Sequence, residues 1–571
     1  MFTGHYFYTP FTMTIASSRH FSKLVQDFIT SFDSTPIHDF FASSPFPDES
    51  TFNAIAAQRV LEQAKPEFAG MREAVCKQIR ETHEAAGGLS DAVVKNLEAL
   101  SEPSTLAVVT GQQVGILGGP LYTIYKALHT VKLASHYAKA FPNHQFVPVF
   151  WQETEDHDFP EVSGITLPTK TGSAAHISYA PATAPDRHQV AAIRFEEEAL
   201  ANFFAEISST LIETEFSASV LAFYKECYKA GTSFAEAQTA ILCKLLGPDG
   251  LLILNGNTRT LKAFTTPLFE KELRTSDELS TLLTTHSKKL SENYFAQIDA
   301  NGTNLFLTKE GRRFKIVKDE TGFTADGERY NLDDILAILK NEPERFSMNV
   351  VMRPLIQDTL LPTVAYVAGP GETAYFAQLS EAYRWAGLQM PVIVPRITLT
   401  ITDERQSALL EKYQSSLEAL LEFGPNLIKE LLRTEREEEL ATAFERSAQE
   451  MENSLESLRN LVESGDVTLG GALTSLKGKL LSQLKEFSAK TQAAERKKQQ
   501  TAKQQLEKVL AILLPENKLQ ERELNLIYFL NKYGLSFWQQ LKTYLLETDL
   551  PLTEHHLIPV SRFQMATEEA K

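Results

Sequence analysis

The chain has 571 residues, 43% of them apolar and 23% charged, with a formal net charge of −17 at pH 7. Domains average roughly 150 residues, so this length predicts several units or one large core carrying insertions. No apolar run is long enough to cross a bilayer, which excludes a membrane-spanning role, and the acidic balance opposes nucleic acid, whose binding rests on Lys and Arg neutralising phosphates.

In chain order, Met1 to Pro10 is aromatic and lacks a basic stretch followed by an apolar one, so no secretory signal is expected; Met13 offers a second candidate start. Residues 1–100 read as helices wrapping the core, with Phe21, Leu24, Val25 and Phe28 on one face and Ala57, Val60, Leu61 and Ala64 continuing the pattern. Strand-like runs follow at Leu106–Thr110, Phe146–Trp151, Leu251–Leu254, Thr363–Ala368 and Pro391–Pro395, mostly trailed by a turn and a helical pattern. That recurrence predicts an α/β core over 101–402 built on a mainly parallel, doubly wound sheet. Two stretches exceed ordinary crossovers, at about 160–248 and about 276–348, and are read as insertions. The second is expected to be a β-hairpin module, with strands at Asn304–Leu307, Arg313–Val317 and around Phe323, and turns at Glu310-Gly311 and Asp326-Gly327.

From about Asp403 the texture changes to Leu, Glu, Lys and Gln. Leu440, Phe444, Met451, Leu455, Leu458 and Val462 lie close to a 4-3 repeat, which resumes at Leu473, Leu476, Leu480, Leu484 and Phe487. An antiparallel coiled-coil hairpin over 403–514 is expected, interrupted at Glu463–Gly471, serving dimerisation or self-packing. Residues 515–571 return to the core. Cys76, Cys227 and Cys243 are too scattered for a zinc site or disulfide framework, pointing to a reducing, cytoplasmic setting.

Three segments carry the candidate chemistry, and parallel strands would deliver them to one carboxyl edge, where open α/β sheets bind ligands. In the first, Thr110-Gly111-Gln112-Gln113 runs to Gly118-Gly119-Pro120, with Pro120 at the expected first helical position and Tyr122 and Lys126 beyond. The helix N-terminus and its glycines suit a phosphate or carboxylate, with Lys126 as a point charge; alternatively the glycines only serve the turn and Lys126 snorkels from a solvated face. In the second, Glu153, Glu155, Asp156, His157 and Asp158 follow a strand containing Trp151. They orient an imidazole for proton transfer, hold Mg²⁺, or form a solvated acidic loop. In the third, Arg353, Gln357 and Asp358 precede a strand that meets Gly369-Pro370-Gly371, with Glu372 and Tyr375 in the next helix's first turn and Gln378 just beyond. Arg353 clamps a carboxylate and Glu372 binds an amine, or Arg353 and Asp358 form a structural ion pair.

Together these segments resemble the bacillithiol biosynthesis cysteine-adding enzymes, the cysteine ligases of low-molecular-weight thiol synthesis. The resemblance spans nearly the whole chain and includes Thr110–Gln113, Gly118–Lys126, Glu155–Phe159, Arg353–Asp358, Gly369–Glu372, Pro391–Arg396, Lys518–Asn525 and Phe529–Gly534. It implies a Rossmann-like core laid out like class I aminoacyl-tRNA synthetases, two connecting insertions and a coiled-coil domain that dimerises. It also implies amide formation between cysteine and the amine of glucosaminyl malate, the last step of bacillithiol synthesis.

A free carboxylate needs a leaving group, so ATP with Mg²⁺ is expected to activate cysteine. On this view Gly111, Gly118, Gly119, Pro370, Gly371 and Lys126 face the nucleotide, Gln112 and Gln113 orient the acyl group, and His157 with Asp156 or Asp158 removes the amine proton. Tyr122, Glu155, Arg353, Gln357, Asp358, Glu372, Tyr375 and Gln378 contact substrates. Neither a His-Ile-Gly-His nor a Lys-Met-Ser-Lys-Ser stretch occurs, and no Cys/His zinc set is present to select a thiolate. The C-terminal block is a second candidate nucleotide pocket. Two other readings remain: a metal-dependent hydrolase using Glu155 to Asp158, and a coiled-coil scaffold that senses a ligand.

Overall fold

The computed structural model describes residues 11–563 other than 300, 433–435 and 467. The reading of the extreme N-terminus falls on residues 1–10, outside the described residues.

All five expected core strands form, and they make one parallel sheet. Its spatial order is Val392–Pro395, Thr363–Ala368, Leu106–Gln113, Phe146–Glu153 and Leu252–Asn255. The apolar runs are buried on both faces, as a parallel sheet covered on each side requires. The chain enters at the middle strand, builds to one edge, then crosses to build the other. The switch point therefore lies between Leu106–Gln113 and Thr363–Ala368, where the sheet opens a crevice at its carboxyl ends.

The chain forms two compact units. One runs to Lys170, resumes over Ala174–Thr402 and takes the chain from Lys518 onward; the other comprises Thr171–Ser173 and Asp403–Asn517. In the first unit, helices Lys23–Thr30, Glu49–Gln63, Met71–Ala85 and Asp91–Ser101 occupy the N-terminal stretch. They are preceded by a strand the sequence does not reveal: Phe11–Thr14 pairs antiparallel with Glu554–Pro559, which pairs parallel with Thr398–Thr402. Four residues reading Phe-Thr-Met-Thr give too little alternation to stand out.

The stretch after the second core strand contains an antiparallel hairpin, Gly164–Pro168 with Ala174–Ser178, and helices Glu197–Thr210, Ser217–Cys227 and Phe234–Leu246. The second expected insertion starts later than about 276, because that position lies inside the long helix Arg259–Ser291. Two small antiparallel sheets follow. Phe346–Met348, Leu305–Lys309 and Arg312–Lys315 form one; Glu328–Tyr330, Gly322–Ala325 and Val317–Asp319 form the other. The expected strand Arg313–Val317 is thus split between them. Both turns form where expected, with φ of 51° and 76° at Glu310 and Gly311 and 50° and 73° at Asp326 and Gly327, the double left-handed pair a tight hairpin needs.

In the second unit, three short helices, Glu404–Lys412, Leu417–Phe423 and Pro425–Leu431, precede the hairpin, which therefore starts later than Asp403. Its arms are Arg436–Gly465 and Leu469–Leu513, and Gly470 and Gly471 belong to the second arm rather than to the connection. Phe444 meets Phe487 at 6.0 Å between ring centres, and Lys477 bonds Glu452 at 2.7 Å across the seam.

Candidate active site

A cavity of about 630 Å³ opens at the switch point of the sheet. From the first segment it is lined by Gly111, Gln112, Gln113, Tyr122 and Lys126, and from the second by Glu153, Asp156 and His157. The third contributes Arg353, Pro370, Gly371, Glu372 and Tyr375. A smaller chamber of about 330 Å³ shares Gln112, Gln113, Tyr122 and Arg522 with it and reaches Gly119 and Lys518. The remaining expected residues, Gly118, Glu155, Asp158, Gln357, Asp358 and Gln378, line neither.

The phosphate cradle expected at Gly118 and Gly119 does not form. The Gly118 N–H donates to Gly115 O at 3.2 Å and to the Tyr228 hydroxyl at 3.1 Å, and the Gly119 N–H donates to Ile116 O at 2.9 Å. These glycines serve the turn, with φ of 84° and 76°. Pro120 caps the helix Leu121–Ala140 instead of opening it, because its ψ of 159° is extended.

Lys126 is buried rather than snorkelling. Its ammonium donates to Gly111 O at 2.5 Å and Gln112 Oε1 at 3.3 Å and pairs with Glu372 Oε2 at 2.6 Å. An ammonium has three protons, so all are used by protein oxygens and none remains for a phosphate. Burial lowers its pKa from the ordinary 10.5 to about 8, with Glu372 pulling the other way. The amine that Glu372 meets is therefore that of Lys126. Glu372 also accepts from the Tyr366 hydroxyl at 2.7 Å and the Gly369 N–H at 2.7 Å. Burial pushes its carboxyl up, but Lys126 and Arg353 outweigh that and leave it below the ordinary value.

Arg353 and Asp358 do not pair. Arg353 donates to the Tyr375 hydroxyl at 2.6 Å and Gln357 Oε1 at 3.2 Å, while Asp358 accepts from Gln357 Nε2 at 2.9 Å and the Tyr383 hydroxyl at 2.5 Å. Gln357 and Asp358 thus support Arg353 from behind. Gln378 is turned away from the cavity and ties Ser287 at 2.8 Å to the carbonyl of Ile298 at 3.0 Å.

Of Glu155 to Asp158, only Asp156 and His157 lie together, 3.7 Å apart, and Glu155 and Asp158 turn to other partners. Glu155 is buried in an ion pair with Lys262. Asp156 accepts from Gln113 Nε2 at 2.5 Å, and Asp158 caps the short helix Phe159–Val162. Arg313 Nη1 lies 3.2 Å from His157 Nδ1. A guanidinium only donates, so Nδ1 is an acceptor and the neutral ring carries its proton on Nε2. Burial and then Arg313 hold the His157 pKa below the ordinary imidazole value. His157 therefore offers a hydrogen-bond donor, not the base expected of it. Among the described residues, no group of three or more His, Cys, Asp or Glu is placed to hold a metal ion, and the four residues of the hydrolase reading do not meet at one centre, since Glu155 pairs with Lys262 and Asp158 caps a helix.

The family model described as "Bacillithiol biosynthesis BshC, N-terminal Rossmann-like domain" matches residues 11–397, and that described as "Bacillithiol biosynthesis BshC, C-terminal coiled-coil domain" matches residues 399–559. The chain belongs to the bacillithiol biosynthesis BshC family. A relative from Salinibacter ruber is 32% identical over 533 residues, covering 93% of this chain and 95% of its own length. One from Chlorobaculum tepidum is 34% identical over 503 residues, covering 85% and 88%. Both carry the name "Putative cysteine ligase BshC".

Within this BshC-family cavity, Arg313, Arg396 and Arg522 matter although the sequence reading assigned them no role, and Glu153, read there only as one member of the acidic run, stands apart from it. Glu153 sits beside Arg353 and Arg313, yet burial first and then Glu155 raise its pKa above the ordinary carboxylate value. Its oxygens accept from the Glu155 N–H at 3.0 Å and Trp151 Nε1 at 3.4 Å. Arg313 comes from the β-module; Arg396 follows the edge strand and pairs with Glu521 at 2.7 Å. The Arg522 guanidinium is exposed at the wall shared by both chambers and forms no hydrogen bond or ion pair with a described residue. Glu153, Arg396 and Arg522 sit inside or beside the quoted motifs; Arg313 carries no local signal, since only tertiary folding brings its hairpin to the rim. Among the described residues, no helix is long and apolar enough to cross a membrane.

Proposed function

We propose that this chain is a ligase that joins the carboxyl group of cysteine to the amine of glucosaminyl malate, forming the amide of bacillithiol. Family membership, the cysteine-ligase names of the relatives and the chemistry of the cavity support this reading. The observation that carries it is Glu153, a carboxylate with a raised pKa held in a cavity whose wall is otherwise rich in fixed cations.

An amine attacks only as its free base, and a carboxylate tuned toward neutral pH is suited to take the proton it sheds. Glu153 is assigned that role. Arg313, Arg353 and Arg396 counter charge on the reacting acyl oxygen and on the malyl carboxylates, while Arg522 meets the anionic substrate that enters at the shared wall. His157 donates through Nε2. ATP enters as a substrate carrying Mg²⁺ on its phosphates and converts the cysteine carboxyl to an adenylate or acyl phosphate. Two copies of the chain associate through the coiled coil, and the setting is cytoplasmic.

Purified chain is mixed with cysteine and glucosaminyl malate, with and without ATP and Mg²⁺, and product is followed by mass spectrometry. The amide is expected only with ATP, and AMP or ADP identifies the activated species. Glu153→Gln is expected to lower kcat/KM by about 10²–10⁴-fold. Substrate binding without turnover under every condition would instead favour a ligand sensor.

A further inference from the structure

Lys262 and Glu155 are both buried and paired with each other, and neither Glu155 oxygen has any other hydrogen bond among the described residues. The Lys262 ammonium also donates to the carbonyl of Phe346, the first residue of strand Phe346–Met348. The next two residues of that strand hold Arg313: its Nε donates to Ser347 Oγ at 2.9 Å and its Nη2 to the carbonyl of Met348. Arg313 then stacks 3.8 Å from the Phe306 ring centre, contacts His157 Nδ1 at 3.2 Å and lies 3.6 Å from Asp156 Oδ1. Asp156 and His157 follow Glu155 directly, so the contacts close a ring that begins and ends in one loop.

A buried ion pair is weak evidence for stability, because apolar residues of similar volume hold a fold equally well. We propose that Lys262 and Glu155 are positioning residues: their pair ties the β-module to the strand-end loop and thereby fixes Arg313 against His157, setting which ring nitrogen carries the proton that faces the cavity. Its effect on turnover rests on the ligase reading above; its effect on His157 does not.

The test uses the full chain with isotope-labelled histidine, following the His157 ring by NMR as pH is varied and assigning it by its loss in His157→Gln. The double variant Lys262→Met/Glu155→Leu removes both charges together and so leaves no buried charge unpaired. Asp156 and Asp158 on the same loop and Arg187 from the preceding insertion still face the ring; Arg313 is the group that is released. The His157 midpoint is expected to rise toward about 6.5, the ordinary imidazole value, and Lys262→Arg, which keeps charge and donors, is expected to retain the wild-type midpoint. The double variant is expected to lose on the order of 10²-fold in kcat/KM, through misplacement of Arg313 and through loss of the Glu155 charge that helps raise the Glu153 pKa. A folded double variant with an unchanged His157 titration overturns the proposal. A shifted titration in a protein that forms no amide under any condition supports the positioning pair while removing the ligase reading.

Discussion

The three protons of Lys126 hold Gly111 O, Gln112 Oε1 and Glu372 Oε2, so this buried cation joins the end of the central strand to the helix after Gly369. Its charge, more than any contact with substrate, keeps the two sides of the switch point together. Because burial brings its pKa from 10.5 to about 8, the ammonium is intact below that pH and is lost as pH rises through it. kcat/KM is therefore expected to fall above about pH 8, and Lys126→Arg to carry that limb to higher pH. Stability moves the other way. Between about 8 and 10.5 the unfolded chain binds the proton that the folded chain has released, so this group makes the fold gain stability as pH rises. Parallel loss of activity and of thermal stability across that window would refute the assignment. Sequence shows Lys126 near the rim but not its burial, since Glu372 reaches it only through the crossing from one half of the sheet to the other.

At the scale of elements, the core strands are readable because burial on both faces writes them as uninterrupted apolar runs. Glu554–Pro559 is not, since it begins Glu-His-His, and His555 and His556 are buried. Thr398 and Thr400 bond the two ring nitrogens of His555 at 2.8 and 2.9 Å, partners that local patterning cannot disclose. The cavity is legible in the same uneven way: Gly111 to Gln113 and Gly369 to Glu372 mark strand ends, whereas Arg313 depends on a distant hairpin. That hairpin turns at Glu310-Gly311, with φ of 51° and 76°. Gly311→Val places a β-branched residue in the left-handed region, costing about 1–2 kcal/mol. The expected result is a lowered melting temperature together with a raised KM, because the hairpin carries Arg313. A lowered melting temperature with unchanged KM would show that the module is not coupled to the cavity.

At the scale of the whole molecule, the hairpin's internal packing leaves an apolar remainder. Leu461 is 71% exposed, Phe487 63%, Leu469 49% and Leu476 48%, although Phe444 and Lys477 already bind the two arms together. Covering the exposed part of such side chains contributes about 25 cal/mol per Å², and a second copy presents a matching apolar stripe in a symmetric dimer. Wild-type protein is accordingly expected to sediment as a dimer at micromolar concentration. Leu461→Glu/Leu476→Glu places charges on that surface while leaving the Phe444–Phe487 contact and the buried core of the first unit intact, so the variant is expected to sediment as a monomer with unchanged helicity. Every residue lining the cavity, from Gly111 to Arg522, belongs to the first unit. The monomer is therefore expected to retain kcat, which separates assembly from chemistry. A variant that remains dimeric would place the contact elsewhere, and a monomer that loses turnover would show that the reaction requires the paired state.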